Sequence, residues 1–230
     1  MEQTSFNVTG DDLVTNPEHR CPSVLLLDIS GSMQGEPIRQ LQEGIGVYRD
    51  SLSGDGLARK RVEVAIVTFG GKVEIVQPFT TADNFTPPPL EARGDTPMGE
   101  AVVTALKLLA DRKAEYKNAG IQYYRPWVFL ITDGGPTDTK TDFWTDAKNS
   151  VRDGEAGKKF SFFAVGVKDA DLQRLSELNP ARTPLSLQGL EFKKMFQWLS
   201  SSQQSVSRSN PGDAVPLPNP TSGPAGWATV

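Results

Sequence analysis

Cysteine and histidine each occur once in the 230 residues of this sequence. With Cys21 alone there is no intramolecular disulfide and no thiolate metal cluster, and with His19 alone there is no imidazole-rich zinc site. Long apolar runs are also missing: none approaches the roughly 18 residues that a membrane helix needs. The opening MEQTSFNVTGDD has neither a basic nor an apolar stretch of the secretory type. Excess positive charge is lacking too, since the formal net charge is -4 and the isoelectric point about 5.2. These absences predict a cytoplasmic protein without general affinity for nucleic acid or membrane. Arg59-Lys60-Arg61 and Lys158-Lys159 read as solvated loop charges.

What is present is the composition of an ordinary globular protein, 37% apolar and 23% charged, in one sizeable domain. Val24–Asp28, Trp127–Thr132 and Phe160–Val167 are continuous apolar runs, as expected of parallel strands covered on both faces. Val62–Phe69, then Gly70-Gly71, then the alternating KVEIVQPF predict a hairpin, with Pro78 suited to an edge strand. Helical stripes lie between these runs. Ile38, Leu41, Ile45, Tyr48 and Leu52 form one, in which Gly44 and Gly46 each cost ~1 kcal/mol relative to alanine, so close packing on the sheet is expected to explain them. Thr96-Pro97 reads as a cap followed by proline at the first helical position, ahead of Met98, Ala101, Val102, Ala105 and Leu109. Shorter helices are expected over 139–152 and 169–178, and a last one on Leu190, Phe192, Met195, Phe196 and Leu199. The expected architecture is an α/β sandwich with helices on both faces of a mostly parallel sheet and one antiparallel edge strand. A proline- and glycine-rich tail follows residue 208, and Trp227 is its candidate for docking on the body.

Ligands of such sheets bind at the carboxyl ends of the strands. There Asp28 ends the first strand and is followed by Ser30 and Ser32, whose alternate spacing aims both hydroxyls the same way. Asp133 ends WVFLIT, and Thr96 opens a helix after Gly94-Asp95. If the two strands are neighbours, Asp28, Ser30, Ser32, Thr96 and Asp133 bring five oxygens together. That set suits a hard divalent cation, Mg²⁺ first and Mn²⁺ next. With only two carboxylates the cage is incomplete, so the ion stays electrophilic toward an outside carboxylate. No catalytic group and no organic cofactor site is expected.

Asp28-x-Ser30-x-Ser32, Gly94-Asp95-Thr96-Pro97-Met98-Gly99 and Thr132-Asp133-Gly134 resemble, in order and placement, the metal-ion-dependent adhesion site of von Willebrand factor A domains. The resemblance implies a three-layer, doubly wound, Rossmann-like domain over 20–207, between an N-terminal segment 1–19 and the tail 208–230. It also implies a non-enzymatic module that captures a partner's Asp or Glu through the bound metal. Arg20-Cys21-Pro22, Gly94–Gly99, the YYRPW segment at 123–127 and the serine-rich last helix are similar to bacterial TerY-like proteins of tellurite-resistance and stress or defence clusters. That likeness implies an assembly containing a protein kinase and a PP2C-type phosphatase.

Each motif also has a plainer reading: Ser30 and Ser32 as helix caps, Thr96 as an N-cap, Asp133 as a turn aspartate. Asp95 reads as a turn residue, Asp138 as a helix-start charge, Cys21 as a small buried hydrophobe, His19 as a surface residue. Tyr123, Tyr124 and Trp127 read as packing, with exposure of Tyr123-Tyr124 ahead of the strand as the alternative. The competing functions are a magnesium-dependent phosphohydrolase and a structural subunit whose site stays empty. The first is disfavoured because Ser30 stands where such enzymes place a second aspartate as general acid.

Overall fold

The computed structural model of the chain describes residue 13 and residues 15–168, 170–223 and 226–230. Most of the segment 1–19, and position 169 at the start of an expected helix, lie outside them. The strands are β1 (Cys21–Asp28), β2 (Val62–Gly70), β3 (Lys72–Thr81), β4 (Trp127–Thr132), β5 (Ser161–Gly166), β6 (Leu185–Leu187) and β7 (Ala228–Thr229). The helices are α1 (Glu36–Ser53), α2 (Ala58–Arg61), α3 (Met98–Asn118), α4 (Asp142–Ala156), α5 (Leu172–Leu178) and α6 (Phe192–Ser207).

One sheet runs in the order β3-β2-β1-β4-β5-β6-β7. The strands from β2 to β6 pair in parallel, and β3 is the expected antiparallel edge. The C-terminal tail adds a second antiparallel strand, β7, on the opposite edge. The β2–β3 hairpin turns at Gly71, whose φ of 72° favours glycine. β3 then continues past Pro78 to Thr81, with register shifts opposite Val64–Val67.

The central strands are apolar throughout because both of their faces are covered. Leu25 and Leu27 of β1, with Phe129 and Ile131 of β4, pack beneath α1 and α6. Val24, Leu26, Val128 and Leu130 pack beneath α3, α4 and α5. Each such leucine, fully buried, contributes about 1.5–3 kcal/mol. Gly44 is explained by a helix rather than by the sheet: a methyl there would lie 2.6 Å from the Phe196 ring of α6. Nothing lies within 4 Å of the same position on Gly46, so packing does not account for it.

At the N-terminal end of the sheet, charge is buried. Glu63 accepts hydrogen bonds from Arg20 Nε, Arg112 Nη2, Arg112 Nε and the Tyr116 hydroxyl, and Arg20, Glu63 and Tyr116 are fully buried. Arg61 is not a solvated loop charge. It is half-buried at the end of α2, pairs with Glu18 and donates to the Ser207 carbonyl. Tyr124 is buried and donates to the carbonyls of Ser207 and Ser209, and Tyr123 packs 5.3 Å from Tyr116. His19 is half-buried, its ring edge-on to Tyr124. Cys21 is buried, and desolvation pushes its thiol up to about 12, as befits an inert small hydrophobe. Trp227 is fully buried, 5.8 Å from Trp198 of α6, and Trp198 Nε1 donates to the Pro218 carbonyl.

Candidate metal centre

Asp28 ends β1, and Asp133 directly follows the end of the neighbouring parallel strand β4, so both carboxylates leave the same edge of the sheet. The winding reverses here. From β1 the chain crosses to β2 through α1 on one face, and it reaches β4 through α3 on the other. A reversal of this kind opens a crevice at the strand ends.

Side chains and one backbone N–H in the crevice form a hydrogen-bonded series. Asp28 Oδ2 accepts the Thr132 hydroxyl at 2.5 Å, and its Oδ1 accepts the Ser30 N–H at 2.7 Å. Ser30 Oγ lies 3.0 Å from Ser32 Oγ, which donates to Asp133 Oδ1 at 2.6 Å. Thr96 reaches the series beside Gly134. A methyl on that glycine would sit 3.6 Å from Thr96 Oγ1 and 3.8 Å from Ser32 Oγ, so the two hydroxyls flank one small space. Asp28, Ser30, Ser32 and Asp133 are thus joined by hydrogen bonds, and Thr96 lies beside them across Gly134. Asp28, Ser30, Thr96 and Asp133 are buried, while Ser32 is exposed and marks the open side.

Neighbouring loops fix Thr96 in place. Gly31 N–H donates to the Gly94 carbonyl at 2.9 Å, and Arg93 N–H to the Ile29 carbonyl at 2.6 Å. Gly94 holds φ at 65°, and a methyl on it would lie 2.5 Å from Gly71 Cα, so only glycine permits this approach. The Thr96 carbonyl accepts the N–H of Thr137 at 3.0 Å, which ties the helix start to the loop after Asp133. Asp95 is exposed and contributes its carbonyl to Gly71, as a turn residue.

The plainer readings do not account for these side chains. α1 follows Gly35, and no side-chain cap bond forms there or at Ser30. α3 follows Pro97 rather than Thr96, one residue later than expected. Its free N–H groups at Gly99 and Glu100 are bonded by the carboxylate of Asp138, at 3.1 and 2.9 Å. Asp138 is thus a helix-start charge, but for α3 and not for the helix that follows it, which begins at Asp142. Gly134 N–H turns to the Thr132 hydroxyl, while the Asp133 carboxylate reaches Ser32. Thr132 and Asp138 were not among the expected site residues. Thr132 was legible from register: Leu27 pairs with Ile131, which places Asp28 beside Thr132.

The donor chemistry fits a hard cation. Among the described residues no group of three or more His, Cys, Asp or Glu is placed to hold a metal. Any ion here would therefore depend on hydroxyls beside the two carboxylates. Adjacent ligands of an octahedral Mg²⁺ at 2.0–2.1 Å are roughly 3.0 Å apart, which matches the 3.0 Å between the Ser30 and Ser32 hydroxyls. Burial, opposed by the bonds from Ser30 and Thr132, raises the Asp28 carboxyl above its ordinary range. A cation beside it would offset that penalty.

A reversal crevice lined by two carboxylates and three hydroxyls defines a doubly wound α/β protein with an oxygen-rich pocket at the carboxyl edge of its sheet. A family model, the von Willebrand factor type A domain, matches residues 24–194, and the chain belongs to that family. A comparison with curated protein sequences gave no match. Among solved structures, the pilus adhesin SpaC of Lactobacillus rhamnosus GG aligns at 15% identity and TM-score 0.66, covering 83% of this chain and 31% of that one. The mussel byssus proximal thread matrix protein 1 with a zinc-occupied MIDAS motif aligns at 14% identity and TM-score 0.52, covering 81% and 48%. Manganese-loaded TRAP of Plasmodium vivax aligns at 19% identity and TM-score 0.50, covering 71% and 64%. At these identities the likeness is one of fold, and this chain spans less than two thirds of each of those chains. No helix among the described residues is long and apolar enough to cross a membrane.

Proposed function

We propose that this chain is a non-catalytic protein-binding module. It holds Mg²⁺, or Mn²⁺ in its place, among Asp28, Ser30, Ser32, Thr96 and Asp133, and a partner protein supplies an Asp or Glu to complete the site. When bound, the cation supplies an electrophilic position for that carboxylate. Ser30, Ser32 and Thr96 satisfy it without neutralising it, Asp28 and Asp133 anchor it, and Thr132 orients Asp28. The observation that carries this reading is the hydrogen-bonded series from Thr132 to Asp133, in which no hydroxyl serves as a helix cap. The manganese- and zinc-loaded relatives of the same fold support a divalent cation in general.

The same reading sets the module in a cytoplasmic bacterial stress-response, tellurite-resistance or defence assembly with kinase and PP2C-type phosphatase components. That setting rests on the resemblance to TerY-like proteins alone. Several residues behind it, Arg20, Tyr123 and Tyr124, have structural partners here. Phosphohydrolase chemistry is disfavoured because Ser30 cannot act as a general acid near neutral pH.

Titration calorimetry tests the core of the proposal. Wild type should bind one Mg²⁺ or Mn²⁺, and Asp28→Ala and Asp133→Ala should lose that binding while keeping the native circular dichroism spectrum. Unchanged affinity in either variant would sink the site. Steady phosphomonoester turnover that Asp28→Ala abolishes would overturn the non-catalytic reading.

A further inference from the structure

A cavity of 290 Å³ lies between α3 and α4, beside Phe160 at the N-terminal end of β5 and so at the opposite end of the sheet from the oxygen cluster. Leu109 and Phe160, both buried, and Leu106 give it an apolar floor, and the exposed Ala110, Lys159 and Asp153 stand with Lys113 around its mouth. Its volume suits one large apolar side chain rather than a whole organic ligand. Gly154 keeps the floor in shape, since a methyl there would fall 2.1 Å from the Phe160 ring.

Lysines outnumber carboxylates around this cavity, and they lack ion-pair partners among the described residues. Among the described residues the ion-paired lysines are Lys72, Lys107, Lys193 and Lys194. Lys113, Lys117, Lys158 and Lys159 are not among them, and Asp153 is engaged by Arg152 at 3.0 Å. Lys113 Nζ donates to the Lys159 carbonyl at 3.1 Å and lies 5.8 Å from the Tyr123 ring, neither of which neutralises it. Burial, and then the charges of Lys117 and Lys159, draw its ammonium below the usual range. Lys158 holds φ at 51°, in the left-handed region that favours glycine, and thereby carries both lysines of this turn. A chain of net charge -4 concentrates positive charge here, so general basicity is not the explanation.

We propose that this cavity is a second protein-docking site, which takes an acidic segment of a partner bearing one large apolar side chain. The apolar side chain enters between α3 and α4, and its flanking carboxylates pair with Lys113, Lys159 and the lysines beside them. Charge complementarity selects the acidic segment, and the cavity's size selects a single anchor. This site does not rest on the metal reading. With both, one chain engages acidic segments at either end of its sheet.

The test uses the full chain in EDTA, so that no metal-held carboxylate contributes. The probe is a labelled, end-blocked pentapeptide with phenylalanine at its centre and two glutamates on each side, followed by fluorescence anisotropy. Saturable binding is expected, weakened roughly tenfold or more by Lys113→Gln/Lys159→Gln. Ala110→Trp, which puts an indole at the mouth of the cavity and keeps the lysines, should weaken it equally, as should glutamines for the glutamates or alanine for the phenylalanine. Circular dichroism checks that both variants are folded. No saturable binding up to roughly 1 mM, or equal binding by wild type and either variant, would overturn the proposal.

Discussion

Glu63→Gln is the substitution for which the structure sets the most definite cost. Glu63 Oε1 accepts Arg20 Nε and Arg112 Nη2, both at 2.8 Å, and Oε2 accepts Arg112 Nε at 2.8 Å and Tyr116 Oη at 2.5 Å. Glutamine keeps one acceptor oxygen but turns the other position into an N–H donor, which then faces another donor. It also removes the negative charge that the two buried guanidiniums share, leaving Arg112 with Glu115 at the rim. Breaking a buried pair from one side costs about 3–5 kcal/mol. For a domain of this size that lowers Tm by roughly 6–20 °C. Thermal and urea unfolding followed by circular dichroism measure it. The companion variant Arg20→Met/Glu63→Leu/Arg112→Met should lose less than Glu63→Gln, because the buried charges of Arg20, Glu63 and Arg112 are removed together. Divalent-ion affinity should not change: Glu63 pairs with Pro22, six positions before Asp28 and so roughly 20 Å away along the strand. A loss below about 1 kcal/mol, or a larger loss in the triple variant, would refute the argument.

Gly134→Ala puts a methyl 3.6 Å from Thr96 Oγ1 and 3.8 Å from Ser32 Oγ, so it should weaken Mg²⁺ binding in calorimetry with little change in Tm. Gly94→Ala meets Gly71 Cα at 2.5 Å from a backbone at φ 65°, and should cost both stability, by about 2 kcal/mol or more, and ion affinity. Trp227→Ala should cost about 3–5 kcal/mol in a single unfolding transition, whereas a loss under about 1 kcal/mol would mean that the tail is not part of the cooperative unit.

The convergence of Asp28, Ser30, Ser32 and Asp133 was legible because its requirements are local. Two strands ending in aspartate, and hydroxyls at alternate positions, already fix which oxygens can meet once the strands are neighbours. The helices that cover the sheet were legible from their stripes, although α4 begins at Asp142 rather than 139. What escaped was set by partners distant in sequence. Nothing near Asp138 says that its carboxylate serves a helix 38 or more residues earlier. Gly44 faces Phe196 of α6, and periodicity cannot name which neighbour a glycine admits. Glu63 reads as one polar residue in an apolar strand, and its three partners are 43, 49 and 53 residues away. The two residues of β7 are too few to signal a strand, and only their pairing with Ser186 and Leu187 makes them one.

That short strand bears on how copies of the chain behave toward one another. Without β7, β6 would offer its backbone groups to any passing strand, beside an apolar trough of Trp127, Phe163 and Trp198. At the far edge β3 carries Lys72, Glu74 and Pro78, residues that discourage further pairing. The covering of that edge thus rests on a few tail residues held down by Trp227. Truncation before them would release an edge able to add strands, and the expected product is a self-associating sheet.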